Sequence, residues 1–328
     1  MNERTGRRVY QSGSRRLPSV GVPRSAFRVP RSRSTRNVEP GTRNSERSED
    51  WGTIARLYDL ERPACRGPEL AFWHRLASEC GGEVLELAAG SGRVAIALAR
   101  KGHRVTGLEL AAGMLSRARQ RTQHLPPEVA ARLHWVRGDM TSFELPGRRF
   151  GLVFVAFNSF WLLQTPEAQA ACLRAAARHL APGGRLALDL FPPNEQDYED
   201  ETGIAERLRL PYRGRRVLRL KDYHYDPARR IATSDVRYYT AGQDDFTPAT
   251  LLTTFRYRLR LAPPEEVQAL LRATGYTVEA TYGDYRREAL TPDSPRAIFI
   301  ARRDVDGALP TVGHQAGGRP LDAVDVLS

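Results

Sequence analysis

From Trp51 onward, short runs of apolar residues alternate along the chain with longer stretches in which apolar residues recur every three or four positions. Runs that are apolar throughout are typical of strands buried on both faces, and the helical stretches between them predict parallel strands covered by helices. The predicted strands are 84–87, 104–108, 133–136, 152–157 and 185–190. The predicted helices are 67–79, a helix after the first strand that ends near Arg100, 114–123 and 166–179.

Residues 195–262 break this pattern, because apolar or aromatic residues there alternate with polar ones. Such alternation predicts antiparallel strands, at 217–225, 231–239 and 251–261. A helix at 265–274 and a closing hairpin of strands 277–282 and 297–302 complete the pattern. The predicted fold is therefore α/β, a Rossmann-like seven-stranded, mostly parallel sheet with helices on both faces. A small antiparallel β insertion follows its fifth strand, and glycine is predicted to cap the helix that ends near residue 182.

The net charge of +12 is concentrated at the N-terminus. Residues 1–48 hold 12 arginines against three glutamates, a net charge of +9, which leaves +3 for the other 280 residues. That segment is rich in Arg, Ser and Pro without a helical or strand period, so it is predicted to be a disordered tail. Residues 49–303 are predicted to form the folded domain and 304–328 a flexible tail. Because the folded part is nearly balanced in charge, we expect no nucleic-acid partner.

Two further features limit the class of protein. No apolar run approaches the length of about 20 residues that crosses a bilayer, and the N-terminus lacks a secretory signal, so a cytoplasmic protein without a membrane partner is expected. The three cysteines lie far apart and have no partners at metal-ligand spacing, so free thiols and no metal site are expected. They are Cys65, Cys80 and Cys172.

The loop after the first strand carries the strongest chemical signal. Residues 86–92 read Glu-Leu-Ala-Ala-Gly-Ser-Gly, and Gly90 and Gly92 would let the backbone approach a ligand closely. A glycine pattern of this kind also fits a dinucleotide site. Glu86 distinguishes the two, because its carboxylate would repel a pyrophosphate. S-adenosylmethionine instead carries an ammonium and a sulfonium and no phosphate.

Acidic residues also follow the next two strands. Glu109 is placed to accept both hydroxyls of a ribose, and Asp139 to accept the amino group of an adenine. Met114 and Met140 would pack on the adenine faces. Ligands of such sheets lie outside the carboxyl ends of the strands, so these residues are expected to meet in one crevice, with S-adenosylmethionine as the cofactor.

With these motifs in place, residues 51–303 resemble the class I S-adenosylmethionine-dependent methyltransferases. The resemblance lies in Tyr58-Asp59, the 86–92 loop, Gly-Leu-Glu at 107–109, Gly138-Asp139 and Leu-Ala-Pro-Gly-Gly at 180–184. The Phe-Asn-Ser-Phe stretch at 157–160 and the inserted sheet are similar to small-molecule N-methyltransferases that act on glycine and amino sugars. The resemblance implies methyl transfer to a nitrogen or oxygen of a small molecule, with residues 195–262 as a lid over the acceptor.

The resemblance also implies roles for individual residues. Ala88 stands where the family usually has glycine, and Phe157 lies in a loop expected to border the cofactor. Arg93 is a candidate contact to the cofactor carboxylate. Tyr58 is expected to contact the sulfonium end or the acceptor, and His224 is the candidate general base. In the N-methyltransferase relatives a histidine typically follows the Asn-Ser pair by three residues, but here that position is Leu162.

Alternative functions stay open at this level. An RNA or protein methyltransferase could use the Arg-rich tail as an electrostatic tether. A nicotinamide-dependent oxidoreductase would share the glycine loop, and a scaffold could bind the cofactor without catalysis. Pro192-Pro193 follows the fifth strand, where it does not match the Pro-Pro motif of DNA base-amino methyltransferases, which would follow Phe157. The sequence does not name the acceptor.

Overall fold

The computed structural model describes residues 51–62, 64–212, 215–242 and 248–303. Its strands are β1 (Val84–Leu87), β2 (Val105–Glu109), β3 (Leu133–Arg137), β4 (Phe150–Val155), β5 (Leu180–Leu190), β6 (Glu201–Tyr212), β7 (Arg215–Asp226), β8 (Ile231–Ala241), β9 (Pro248–Arg260), β10 (Tyr276–Tyr282) and β11 (Ala297–Arg303). Seven of them form one sheet in the order β10-β11-β5-β4-β1-β2-β3. Strands β1 to β5 pair in parallel and β11 runs antiparallel to both of its neighbours, which confirms the predicted fold class.

Helices cover both faces of this sheet. They are α1 (Ala55–Glu61), α2 (Gly67–Cys80), α3 (Arg93–Arg100), α4 (Ala112–Gln123), α5 (Pro127–Ala130), α6 (Pro166–His179) and α7 (Pro264–Ala273), with short 3-10 helices at Ser159–Leu162 and Glu195–Tyr198. Helix α6 begins as its sequence predicts, because the Thr165 hydroxyl accepts a hydrogen bond from the N–H of Ala168 at 3.1 Å and Pro166 takes the first position.

The predicted glycine cap of α6 is wrong. The helix ends at Leu180, which is already extended at φ −71° and ψ 136°, since it pairs with Phe150 of β4 at once. Gly183, at φ +74°, instead lies inside the long strand β5, where the pairing with β4 shifts register between Phe150 and Leu152. The chain therefore leaves α6 directly into the sheet.

The core has two layers because successive residues of a strand face opposite sides of the sheet. Leu85 and Leu87 of β1 face one cluster and Val84 faces the other. In the second cluster the ring of Trp73, from α2, stacks on Phe154 with the ring centroids 4.5 Å apart. The sheet is thus buried on both sides, as its continuous apolar strands predict.

A second, four-stranded antiparallel sheet is inserted between β5 and α7, in the order β6-β7-β8-β9. It confirms the predicted antiparallel insertion but contains one more strand, β6, than the three predicted. Val217, Val236 and Phe255 of this sheet pack with Ile54 and Leu57 of the α1 region. Helix α1 therefore packs against one face of the inserted sheet.

The sequence predicts a tail at each end of the chain. Both tails, residues 1–48 and 304–328, lie outside the described residues. In the part of the chain that the structure describes, no helix is both long and apolar enough to span a bilayer.

Candidate active site

A pocket lies at the carboxyl edge of the parallel sheet, where the loops after β1, β2, β3 and β4 converge. Helix α1 and the strands β7, β8 and β9 contribute the rest of its lining. The predicted site residues that line it are Tyr58, Ala88, Gly90, Glu109, Met114, Asp139, Met140 and Phe157. The remaining four, Glu86, Gly92, Arg93 and His224, do not belong to its lining.

The glycine-rich loop owes its shape to three left-handed residues. Ala88 has φ +54°, Gly90 φ +57° and Gly92 φ +79°. Left-handed backbone favours glycine, which explains in physical terms why glycine is usual at position 88 in related proteins. A Cβ at Gly92 would lie 2.5 Å from the ring of Trp135, so that glycine is required for packing against a side chain.

Glu109 is the acidic residue best placed for the cofactor. Its Oε2 accepts a hydrogen bond from the N–H of Gly90 at 2.7 Å, and its Oε1 one from Ala111 at 2.8 Å. Burial raises the pKa of this carboxyl, while those backbone N–H groups act to lower it. A carboxylate has about four lone-pair positions. Glu109 therefore keeps acceptor capacity that fits the hydroxyls of a ribose.

The residues of α4 and of the loop after β3 that were expected to bind the adenine line one part of the pocket. Oδ1 of Asp139 accepts hydrogen bonds from the N–H and the hydroxyl of Thr141, both at 2.8 Å, which fixes the loop after β3. Met114 and Met140 are buried and line the pocket beside it. An acidic loop between two methionines fits an adenosine group, so the residues present suit S-adenosylmethionine.

Glu86 has a different place from the one expected. Its Oε2 accepts a hydrogen bond from the N–H of Ala95 in the first turn of α3, at 2.8 Å. Burial raises its pKa to about 8, although nearby Arg93 acts in the opposite direction. At neutral pH the carboxyl is therefore mostly protonated and repels a phosphate weakly. The electrostatic argument for the cofactor falls to Glu109, which lines the pocket.

Arg93 is also engaged elsewhere. Its guanidinium forms a two-pronged ion pair with Glu69, with both N–O distances 2.6 Å. Arg62 lines the pocket instead and lies over the ring of Phe157, 4.7 Å from its centroid. In the described part of the chain its Nε is buried without a hydrogen-bond partner. Arg62 is therefore the better candidate for the cofactor carboxylate. Its spacing from Tyr58, four residues along one helix, could have suggested it.

His224 faces away from the pocket. Its side chain is 66% exposed, and its Nδ1 lies 2.7 Å from Oδ2 of Asp200. Arg219 on the same strand lines the pocket, and the period of two along a strand sends His224, five residues later, to the other face. The expectation that His224 acts as the general base is contradicted by this placement.

The end of the pocket lined by the inserted sheet, where the acceptor is expected, contains a buried charged group that the sequence did not reveal. Glu61, Arg219 and Tyr238 all line the pocket. The Tyr238 hydroxyl donates to Oε1 of Glu61, and Nε of Arg219 lies 3.4 Å from the same oxygen. The side chains of Glu61 and Arg219 are each 9% exposed. A carboxylate is thus held at the pocket by two groups from the inserted sheet.

Aromatic rings surround this end of the pocket. Trp51 meets Phe255 edge-on with centroids 4.6 Å apart, and Phe255 stacks on Tyr257 at 5.4 Å. Tyr58 meets Trp51 edge-on at 5.9 Å. Burial raises the pKa of the Tyr58 phenol, so it stays neutral at ordinary pH and can donate a hydrogen bond. Tyr58 lines the pocket, and its place at the junction of cofactor and acceptor stays a prediction.

The chain also matches known proteins. The family model described as a methyltransferase domain matches residues 84–184, from β1 into β5. The dTDP-3-amino-3,6-dideoxy-alpha-D-glucopyranose N,N-dimethyltransferase of Streptomyces fradiae is 30% identical over 236 residues, which are 70% of this chain and 85% of that protein. The cypemycin N-terminal methyltransferase of a Streptomyces species is 28% identical over 255 residues, which are 76% of this chain and 96% of that protein.

Among solved structures, the CcbJ methyltransferase of Streptomyces caelestis superposes with a TM-score of 0.65 at 25% identity, over 78% of this chain and 99% of that one. The chain belongs to the class I S-adenosylmethionine-dependent methyltransferases, and S-adenosylmethionine is its cofactor. The sequence prediction of a methyltransferase is thereby confirmed against the oxidoreductase alternative.

Proposed function

We propose that this enzyme methylates the nitrogen of an amine on a small molecule. The observation that carries the proposal is the buried carboxylate of Glu61 among the aromatic rings at the acceptor end of the pocket. Bound S-adenosylmethionine supplies an activated methyl group on a sulfonium. The protein's own part is to hold the acceptor atom in line with that group and to exclude water.

The charge and the rings suit an amine. An amine arrives protonated at neutral pH, and an ammonium is attracted both to a carboxylate and to the faces of aromatic rings. Glu61 would bind the ammonium and receive its proton, while Tyr238 and Arg219 keep the carboxylate in place. Tyr58 would orient the acceptor from α1. A hydroxyl acceptor carries no positive charge that would draw it to this carboxylate and these rings.

The relatives support the same class of acceptor. By their names, the Streptomyces fradiae protein is an N,N-dimethyltransferase of an amino sugar, and the cypemycin enzyme is an N-terminal methyltransferase. Both names describe methylation at nitrogen. A pocket covered by α1 and the inserted sheet suits a small acceptor or a chain end better than an extended duplex. Residues 195–262 as an acceptor lid and a cytoplasmic location stay predictions.

The test is a methylation assay on paired acceptors. The full chain is incubated with S-adenosylmethionine and a panel of sugar and peptide amines, each beside the analogue with a hydroxyl in place of the amine. Product S-adenosylhomocysteine is measured. We expect turnover of at least one amine and none of its hydroxyl partner. Turnover of hydroxyl analogues alone would contradict the proposal.

Variants then test the role of Glu61. Glu61→Gln should lower kcat/KM for the amine by about 100-fold, because it removes the charge and the proton acceptor. The matched control, Glu279→Gln, also removes a carboxylate paired with an arginine, but on β10 at the edge of the sheet. Binding of S-adenosylhomocysteine should be the same in both variants, since Glu61 is assigned to the acceptor. Equal kcat/KM in the two variants would remove Glu61 from the mechanism.

A further inference from the structure

We propose that Asp189, together with Arg296 and Tyr285, is a positioning residue that holds the Phe157–Asn158 turn in the wall of the cofactor pocket. The inference concerns cofactor binding and does not depend on the identity of the acceptor. None of these three positioning side chains lines the pocket, whereas both residues of the turn do.

The turn has a backbone that its residues do not favour. Phe157 has φ +54° and Asn158 φ +67°, two successive left-handed residues that follow β4 after one intervening residue, Ala156. Asparagine tolerates that region, but a bulky aromatic residue is rarely found there. A strained turn at a binding site persists only where its surroundings fix it.

Asp189 supplies that fixation from the end of β5. The residue is fully buried, and its Oδ2 accepts hydrogen bonds from the N–H of Phe157 and the hydroxyl of Tyr285, both at 2.9 Å. Its backbone carbonyl accepts from the N–H of Asn158 at 2.9 Å. In turn, Oδ1 of Asn158 accepts a hydrogen bond from the N–H of Phe191 at 2.8 Å. Each residue of the turn is thus tied to the end of β5.

Arg296 orients the carboxylate and also contacts the ring of the turn. Two nitrogens of its guanidinium donate to Oδ1 of Asp189, Nε at 2.7 Å. The same guanidinium lies 5.7 Å from the centroid of the Phe157 ring, and Arg62, which lines the pocket, lies 4.7 Å from it. Arg296 and Tyr285 belong to the connection between β10 and β11. That connection therefore acts on the pocket through Asp189 and Phe157.

The two carboxylate oxygens of Asp189 accept from different donors, Oδ1 from Arg296 and Oδ2 from Phe157 and Tyr285, which makes Asp189→Asn informative. An asparagine can accept on one side only. If its oxygen faces Arg296, its NH2 group meets the N–H of Phe157, and two donors oppose each other. If it is flipped, the NH2 group meets the guanidinium. Either orientation should displace the turn without changing the size of the side chain.

The experiment is a calorimetric titration of the full chain with S-adenosylhomocysteine, with the melting temperature recorded for each variant. Asp189→Asn should weaken binding about tenfold, because the turn loses a fixed hydrogen-bond partner. Tyr285→Phe should weaken it about threefold, because Asp189 loses one of the donors that orient its carboxylate. The matched control is Tyr276→Phe. It also removes one buried hydroxyl, which donates to the carbonyl of Leu173 at 2.8 Å, away from the pocket.

A merely structural role and a positioning role give different results. If Tyr285 only stabilises the fold, Tyr285→Phe and Tyr276→Phe should both lower the melting temperature, and neither should change the affinity at 25 °C. The proposal requires weaker binding in Tyr285→Phe than in Tyr276→Phe. Equal affinities in those two variants would overturn it, even if Asp189→Asn does not fold.

Discussion

The Glu86→Gln variant should become increasingly more stable than the wild type as the pH rises. Glu86 is buried beneath the start of α3, and its pKa is raised to about 8 from the 4.5 of an exposed glutamate. A raised carboxyl pKa means that the folded state holds a proton which the unfolded state releases. The stability tied to this proton is complete below pH 4.5 and is lost as the pH rises to about 8. The wild type should lose up to about 1.4 kcal/mol per pH unit across that window.

Glutamine has no proton to lose and can still accept the hydrogen bond from Ala95. The free energy of unfolding of Glu86→Gln, minus that of the wild type, should therefore grow by roughly 2 kcal/mol between pH 6 and pH 8 and level off above pH 8. Urea unfolding at half-unit pH steps measures it. Glu128→Gln makes the same change on an exposed residue of α5, and its profile serves as the baseline. A difference between Glu86→Gln and wild type that stays constant with pH would show that Glu86 is ionised in the folded protein.

Three further predictions concern the glycine-rich loop and its contacts. Asp59 accepts hydrogen bonds from Ser91 and Arg117 and so connects α1 to the glycine loop and α4. Asp59→Asn should weaken S-adenosylhomocysteine binding severalfold in a calorimetric titration. Unchanged affinity would contradict that connection. Gly92→Ala should destabilise the fold by about 2 to 4 kcal/mol in urea unfolding, because φ is +79° and the new Cβ meets a tryptophan ring; wild-type stability would refute the clash. Ala88→Gly should stabilise the fold by about 0.5 to 1 kcal/mol, since glycine accepts φ +54° without strain, and a loss of stability would argue against that backbone.

Much of the parallel sheet could be predicted from the sequence because its buried strands are short, mostly apolar runs between helical stretches. Strand β6 could not. It lies at the edge of the inserted sheet, and edge strands tolerate charged residues and a proline such as Pro211, which hide the alternation. The alternation of β7 was visible. The same alternation places Arg219 and His224 on opposite faces of β7. Because Arg219 lines the pocket, His224 faces away from it.

The meeting of Glu109 and Asp139 in one pocket was predictable for a similar reason. Glu109 and Asp139 follow parallel strands, whose carboxyl ends meet at one edge. The cluster of Glu61, Arg219 and Tyr238 depends on tertiary contacts that no local sequence pattern predicts. Glu61 meets Tyr238 across 177 positions of sequence, because α1 packs under the inserted sheet. Likewise Arg93 looked free in the sequence, but Glu69 of α2 pairs with it in the fold.

The central claim is that the pocket holds S-adenosylmethionine through Glu109. A calorimetric titration of the full chain with S-adenosylhomocysteine tests it most directly, with NADH as the competing ligand and Glu109→Gln as the variant. The account predicts micromolar binding of S-adenosylhomocysteine, a loss of at least about tenfold in the variant, and no binding of NADH. Equal affinity in wild type and Glu109→Gln, or binding of NADH in place of S-adenosylhomocysteine, would contradict it.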